Sequence, residues 1–202
     1  MKRQAHPPRV QSAAFHGRAY RLRIALRGIQ PPIWRRIRVP DTLPLSRLHD
    51  VIQTTFGWTD SHLHQFYIAG AAYGRPLDFD QTVLDEAGIT LAHAVGAAIK
   101  RFLYVYDFGD DWIHDVTVEK LIAGNSGDER PQCLGGRRRR PPEDCGGVAR
   151  YGDLLRVLRA PGHSRDDPVP EPASRRFDPE EFDLGAVNRV LARLSWGPVR
   201  VH

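Results

Sequence analysis

The chain has 202 residues, 41% hydrophobic and 26% charged, a composition that suits one folded domain and argues against global disorder. Lysine and arginine number 29 against 24 acidic residues, a formal charge of +5 with histidine neutral. Two cysteines exclude a disulfide scaffold and a four-cysteine zinc site, and no apolar run reaches the roughly 18 residues of a membrane span. The opening residues are basic and no apolar stretch follows them, so a secretory signal is not expected. The expectation is a soluble, cytoplasmic protein without a membrane partner.

Residues 1–16 read as a basic flexible tail, 17–195 as one domain and 196–202 as a C-terminal tail. Within the domain, residues 19–28 alternate, with Leu22, Ile24 and Leu26 against Arg21, Arg23 and Arg27, which predicts a half-buried strand. Gly28-Ile29-Gln30-Pro31-Pro32 predicts a turn into a second strand over 33–39, with Ile33, Ile37 and Val39 on one face. Residues 45–56 predict a helix, with Leu48, Val51, Ile52 and Thr55 on its inner face, Ser46 as the N-cap and Gly57 as the stop. Residues 62–69 alternate again, and 71–74 turn that strand into a short hairpin. A short helix is expected at 91–95.

The strongest strand predictions are 99–106 and 112–122, rich in aromatic and β-branched residues. Asp107-Phe108-Gly109-Asp110-Asp111 forms the turn between them. Residues 123–147, with their glycines, prolines and four consecutive arginines, read as a loop, and so do residues 163–176. Residues 151–158 predict a helix. Asp183 is placed to cap a last helix over 184–194, with Val187, Val190, Leu191 and Leu194 inward. Strands and helices mix without a regular βαβ rhythm. The fold class is therefore α+β, a mixed and mostly antiparallel sheet with packed helices in a single compact domain.

Six segments in order carry a resemblance: Pro32-Ile33-Trp34-Arg35-Arg36; Leu48-His49 through Phe56-Gly57-Trp58; His62-Leu63-His64-Gln65-Phe66; Tyr106-Asp107-Phe108-Gly109-Asp110-Asp111-Trp112-Ile113-His114; Pro141-Pro142-Glu143-Asp144-Cys145-Gly146-Gly147; and Phe177-Asp178 with Phe182-Asp183. Together they resemble the plasmid pRiA4b ORF-3-like family over residues 17–195. The resemblance implies a compact α+β domain of bacteria, found on plasmids or near mobile elements, some relatives carrying a transposition-regulator label. It implies no particular reaction. The run Arg137-Arg138-Arg139-Arg140 departs from the family pattern as a longer basic stretch.

Asp107, Asp110, Asp111 and His114 fall within eight residues at a strand–turn–strand corner. Carboxylates and an imidazole so grouped bind metals or perform acid–base work, and the same residues also simply make a turn. Asp107, Asp111, His114, Glu143, Asp144 and Cys145 are the candidate ligands for a divalent metal, if the fold joins the two segments. Cys133 and Cys145 admit three readings: zinc with two histidines from His62, His64, His114 or His163, a loop-closing disulfide, or two small buried thiols. His62 and His64, two apart, share a strand face and can chelate or pack; His49 is expected to pack or cap locally. Trp34, Arg35, Arg36 and Arg38 form a basic-aromatic patch suited to non-specific nucleic-acid contact, and equally to a solvated strand face. Gly124-Asn125-Ser126-Gly127 lacks the spacing of a serine nucleophile elbow, and no phosphate-binding glycine loop is present.

Two functions follow. The first is a binding or regulatory module associated with plasmids and mobile elements, its partner a nucleic acid or a protein and its working surface the corner at 107–114 and 141–147 joined by the histidine pair. The second is a metal-dependent enzyme of phosphoester hydrolase type, with Asp107, Asp111 and His114 on the ion and Glu143 or Asp144 as ligand or base.

Overall fold

The structure, a computed structural model, describes residues 17–76, 82–123, 130–160, 177–194 and 196. The tail at 1–16, the serine segment at 124–127 and His163 with its loop lie outside the described residues. Strands β1 (Arg18–Leu26), β2 (Trp34–Pro40), β3 (His64–Ile68), β4 (Ala71–Gly74), β5 (Val83–Asp85), β6 (Arg101–Tyr106), β7 (Trp112–Ala123) and β8 (Gln132–Arg137) form one sheet in the order β5-β4-β3-β6-β7-β1-β2-β8. Every pairing is antiparallel except β4 with β5, so the sheet is mixed as expected. Helices α1 (Leu45–Phe56), α2 (Leu91–Val95), α3 (Gly147–Leu158) and α4 (Leu184–Arg193) complete this α+β domain. No described helix is long and apolar enough to cross a membrane.

A single core joins the two layers. Tyr20, Leu22, Ile24 and Leu26 of β1, with Ile37 and Val39 of β2, meet Leu48, Val51, Ile52 and Phe56 of α1. Leu91 and Val95 of α2, Tyr151, Leu154 and Leu155 of α3, and Leu191 of α4 belong to the same cluster. The period-two pattern puts the alternate side chains of β1, β2 and β7 on the opposite face of the sheet, half-buried to exposed.

Several local expectations are corrected. Pro44, not Ser46, occupies the N-cap of α1, and no side chain caps it. The first free amides of that helix are satisfied instead by carbonyls of a neighbouring loop: Leu45 N donates to Ile89 O at 2.9 Å and Ser46 N to Glu86 O at 3.4 Å. Gly57 ends α1 with φ of 86°, as its lack of a Cβ permits. The loop read over 123–147 contains β8, an edge strand paired to β2. Gly136 makes that strand fit: a Cβ there would lie 2.7 Å from the Phe182 ring and 2.8 Å from Cδ of Arg35.

Asp183 caps α4, accepting from Ala186 N at 2.8 Å. The inner face of α4 is rotated relative to the sequence reading. Leu191 is buried and Val187 half-buried, whereas Val190 and Leu194 face outward. The rotation brings Asn188 to the free edge of β8, where its carboxamide accepts from Cys133 N and donates to Cys133 O, both at 2.9 Å. Asn188 thus substitutes for a further strand. Trp196, assigned above to the terminal tail, donates its indole N–H to Leu191 O and packs on the core.

Candidate metal centre

Antiparallel pairing of β3 with β6 places His64 opposite Tyr106. The two chains stay together one step beyond the ladder, where Asp107 N donates to Leu63 O at 2.9 Å. His62 is thereby carried to the β6–β7 turn. Asp107 opens that turn with φ of 60°, a left-handed conformation that aspartate tolerates because its carboxylate bonds locally. Its Oδ1 accepts from Gly109 N at 2.9 Å and Asp110 N at 3.3 Å. That leaves Oδ2 directed to His62, 3.6 Å from Nε2.

The third group comes from the loop before α3. Both carboxylate oxygens of Asp110 accept from Gly146 N at 3.1 Å, which docks the turn on that loop. Gly147, at φ of 74°, lets the segments touch, since a Cβ there would sit 2.7 Å from Asp110 O. Asp144, itself at φ of 54°, then brings Oδ1 to 3.2 Å from His62 Nε2. One imidazole nitrogen and two carboxylate oxygens lie within 4.8 Å of one another. His62 Nε2 is buried and makes no hydrogen bond to either oxygen, although both are within ion-pair range. Asp144 is 71% exposed, so the cluster opens to solvent. A cleft of about 210 Å³ adjoins it, lined by residues 60–65 with Arg75 and Phe108.

Of the ligands expected from sequence, the fold joins Asp107 and Asp144 and adds His62. It does not bring Asp111, His114, Glu143 or Cys145 to this cluster, among the described residues. Asp111 is exposed at φ of 54°, its amide bonded to Asp107 O. His114 points into the core with Trp112 and Val116, its Nδ1 on Trp112 O and its Nε2 accepting from the Trp58 indole at 3.4 Å. Burial holds its pKa down to about 4, so it is a neutral packing group. Glu143 Oε1 is occupied by Thr59 N and Oγ1. The thiol of Cys145 is pushed up to about 12, first by burial and then by the nearby Asp110, which opposes thiolate ligation. Cys133 is buried in β8 beside Gly135 and Asn188, both cysteines are free, and among the described residues no metal-ligand cluster includes either of them.

A second histidine cluster escaped the sequence reading in all but His64 and His49. The helical spacing of His49 and Gln53 puts both on the face of α1 that meets Tyr104. Their bonds close in one sense: Gln53 Nε2–H donates to the Tyr104 oxygen at 2.9 Å, the Tyr104 hydroxyl to His49 Nδ1 at 2.8 Å, and His49 Nε2–H to Asp60 at 2.9 Å. His64 bonds Glu86 at 2.9 Å, both groups buried. Desolvation, and then the neighbouring His64, hold His49 down to about 4. Asp60 joins these histidines within ligand distance of each other. However, the two rings stack with centroids 3.5 Å apart and 8° between planes. A cation in the plane of one ring lies out of the plane of the other, so the pair cannot chelate together. His62 and His64, which the sequence left free to chelate or to pack, are divided: His62 lies beside Asp107 and Asp144, and His64 in this stack.

The predicted basic patch is also divided. Trp34, Arg36 and Arg38 face outward, whereas Arg35 turns into the core at 2% exposure. There it donates to Thr55 O, Trp34 O, Arg137 O and Arg138 O, with its guanidinium over Phe56 and Phe182.

Comparison with known proteins adds kinship. The family described as plasmid pRiA4b ORF-3-like protein matches residues 18–186. An uncharacterized protein, y4hQ, of Sinorhizobium fredii (strain NBRC 101917 / NGR234) is 37% identical over 178 residues, spanning 87% of this chain and 91% of the relative. The crystal structure of a protein of unknown function, MM3350 from Methanosarcina mazei Go1, superposes with a TM-score of 0.75 at 36% identity, over 83% of this chain and 96% of that one.

Proposed function

The chain belongs to the plasmid pRiA4b ORF-3-like family, and from that footing and the geometry of the cleft we propose that it is a binding module whose ligand is a divalent metal ion held by His62, Asp107 and Asp144. One observation carries the reading. Tetrahedral ligands at about 2.0–2.1 Å from an ion stand about 3.3 Å from each other. His62 Nε2 lies 3.2 Å from Asp144 and 3.6 Å from Asp107 without a hydrogen bond to either, a spacing that brackets this value.

A nitrogen and two carboxylate oxygens suit zinc or manganese, and three protein ligands leave a position open for water or a further ligand. Arg75 on the adjoining cleft wall gives that further ligand an anionic preference, a phosphoester being the simplest case. Asp107 is held by its two backbone amides and by its place in the turn, which fixes one ligand in advance.

Thermal melting of the full chain tests the reading. Zinc at about 100 times its Kd raises the melting temperature by on the order of 5 °C, and a chelator removes the gain. The variant Asp107→Asn shows no such rise. A melting temperature indifferent to zinc, manganese and chelator contradicts the proposal. Release of p-nitrophenol from p-nitrophenyl phosphate by the metal-loaded protein, lost in His62→Ala, extends the reading from binding to metal-dependent phosphoester hydrolysis.

A further inference from the structure

The outward face of the sheet carries a basic field that the metal reading does not use. Register places Arg21 opposite both Arg38 of β2 and Lys120 of β7. Arg23 stands opposite Arg36, and Arg101 of β6 is opposite Thr117, which itself faces Arg23. Opposed residues of antiparallel strands share a face, so these cations lie side by side in rows across the strands. Like charges directly opposite destabilise a sheet. These side chains are half-buried to exposed, and the core lies behind them.

Compensation is partial. The β1–β7 register shifts between Arg21 and Leu22, and Glu119 enters at that irregularity. Its carboxylate binds Arg21 at 2.9 Å and Arg36 through two nitrogens at 2.8 Å. Asp115, nearer the other end of β7, is bound by Arg27. On this face Arg21, Arg23, Arg27, Arg36, Arg101 and Lys120 outnumber Asp115 and Glu119 among the described residues. Trp34 sits at the head of the rows, the guanidinium carbons of Arg23 and Arg36 lying 5.5 and 5.4 Å from its ring centroid.

We propose that this outer face binds single-stranded nucleic acid, its phosphates lying along the arginine rows and a base stacking at the Trp34–arginine cluster. A polyanion supplies the missing countercharge, and an indole flanked by guanidiniums offers planar surfaces to a base. A single strand fits better than a duplex. Reading a major groove takes a protruding helix or a narrow two-stranded ribbon, and the middle strands of a broad sheet present neither.

The test uses the full chain and a labelled oligothymidylate of about 15 nucleotides, long enough for one sheet-sized site. Anisotropy is followed across a salt series, with tryptophan fluorescence in parallel. Wild type binds at low salt with quenched tryptophan emission. Arg23→Gln with Arg38→Gln weakens binding at least tenfold and flattens the log–log salt slope by about 0.7 per lost contact. Trp34→Leu removes the quenching and weakens binding several-fold with the salt slope unchanged. The melting temperature of the double variant stays level, because both side chains lie on the outer face away from the core, so its weaker binding is not a folding defect. Replacing Lys2, Arg3 and Arg9 by serine leaves the quenching intact. Absence of binding at low salt overturns the proposal. So does binding that survives the double arginine variant and disappears with the tail substitutions. A duplex bound as tightly as the single strand overturns the choice of ligand.

Discussion

Arg35 stands on β2 where the period-two pattern asks for an apolar side chain. Four backbone carbonyls accept from its guanidinium and two rings cover it, which makes burial tolerable. Desolvation lowers its pKa to about 10, so it stays charged at neutral pH. Composition alone places arginine on the surface, and the accepting carbonyls come from residues 34, 55, 137 and 138, which no local pattern connects. Arg35→Met leaves those carbonyls without their donor, and urea titration should show a loss on the order of 3 kcal/mol. His49 and His114 give a second outcome at this scale. Both are held down to about 4 in the folded protein, against about 6.5 when unfolded. The unfolded chain therefore binds more protons between those values, and stability falls as pH drops from 6.5 towards 4. Melting temperatures measured across that range should decline, with a shallower decline in His114→Gln.

At the scale of elements, legibility followed the strength of local patterns. The bounds of α1 were readable because an amphipathic stripe ends at a glycine in the left-handed conformation. The strands β6 and β7 were readable from their aromatic and β-branched content. Strand β8 was not, because its glycines and arginines mimic a loop: Gly136 is there to admit Phe182 and Arg35, and the edge is closed by Asn188 rather than by an apolar face. Strand β5 has three residues and no periodicity to read. The rotation of α4 that brings Asn188 to Cys133 likewise depends on a partner distant in sequence. Asp183→Ala removes the α4 cap and should cost about 1 kcal/mol. Asn188→Ala leaves the Cys133 amide and carbonyl unpaired, and amide exchange in β8 should quicken selectively.

For the molecule as a whole, the candidate centre was half legible. The corner at Asp107 and the segment containing Asp144 were recognisable as chemistry-bearing, and His62 was a candidate. Their meeting depends on three tertiary facts: the β3–β6 register, the docking of Asp110 on Gly146, and the close approach allowed at Gly147. Proximity in sequence misled at His114 and Asp111, because alternation along β7 sends His114 into the core and the turn leaves Asp111 outside. The measurement that bears most directly on the centre is calorimetric titration of the metal-free full chain with zinc, the divalent ion expected to bind such nitrogen–oxygen ligands more tightly than manganese. One ion per chain in the wild type, and loss of that binding in His62→Ala with the fold intact by circular dichroism, is the predicted result. No saturable heat in the wild type, or an unchanged isotherm in the variant, contradicts the assignment of His62, Asp107 and Asp144 as a metal centre.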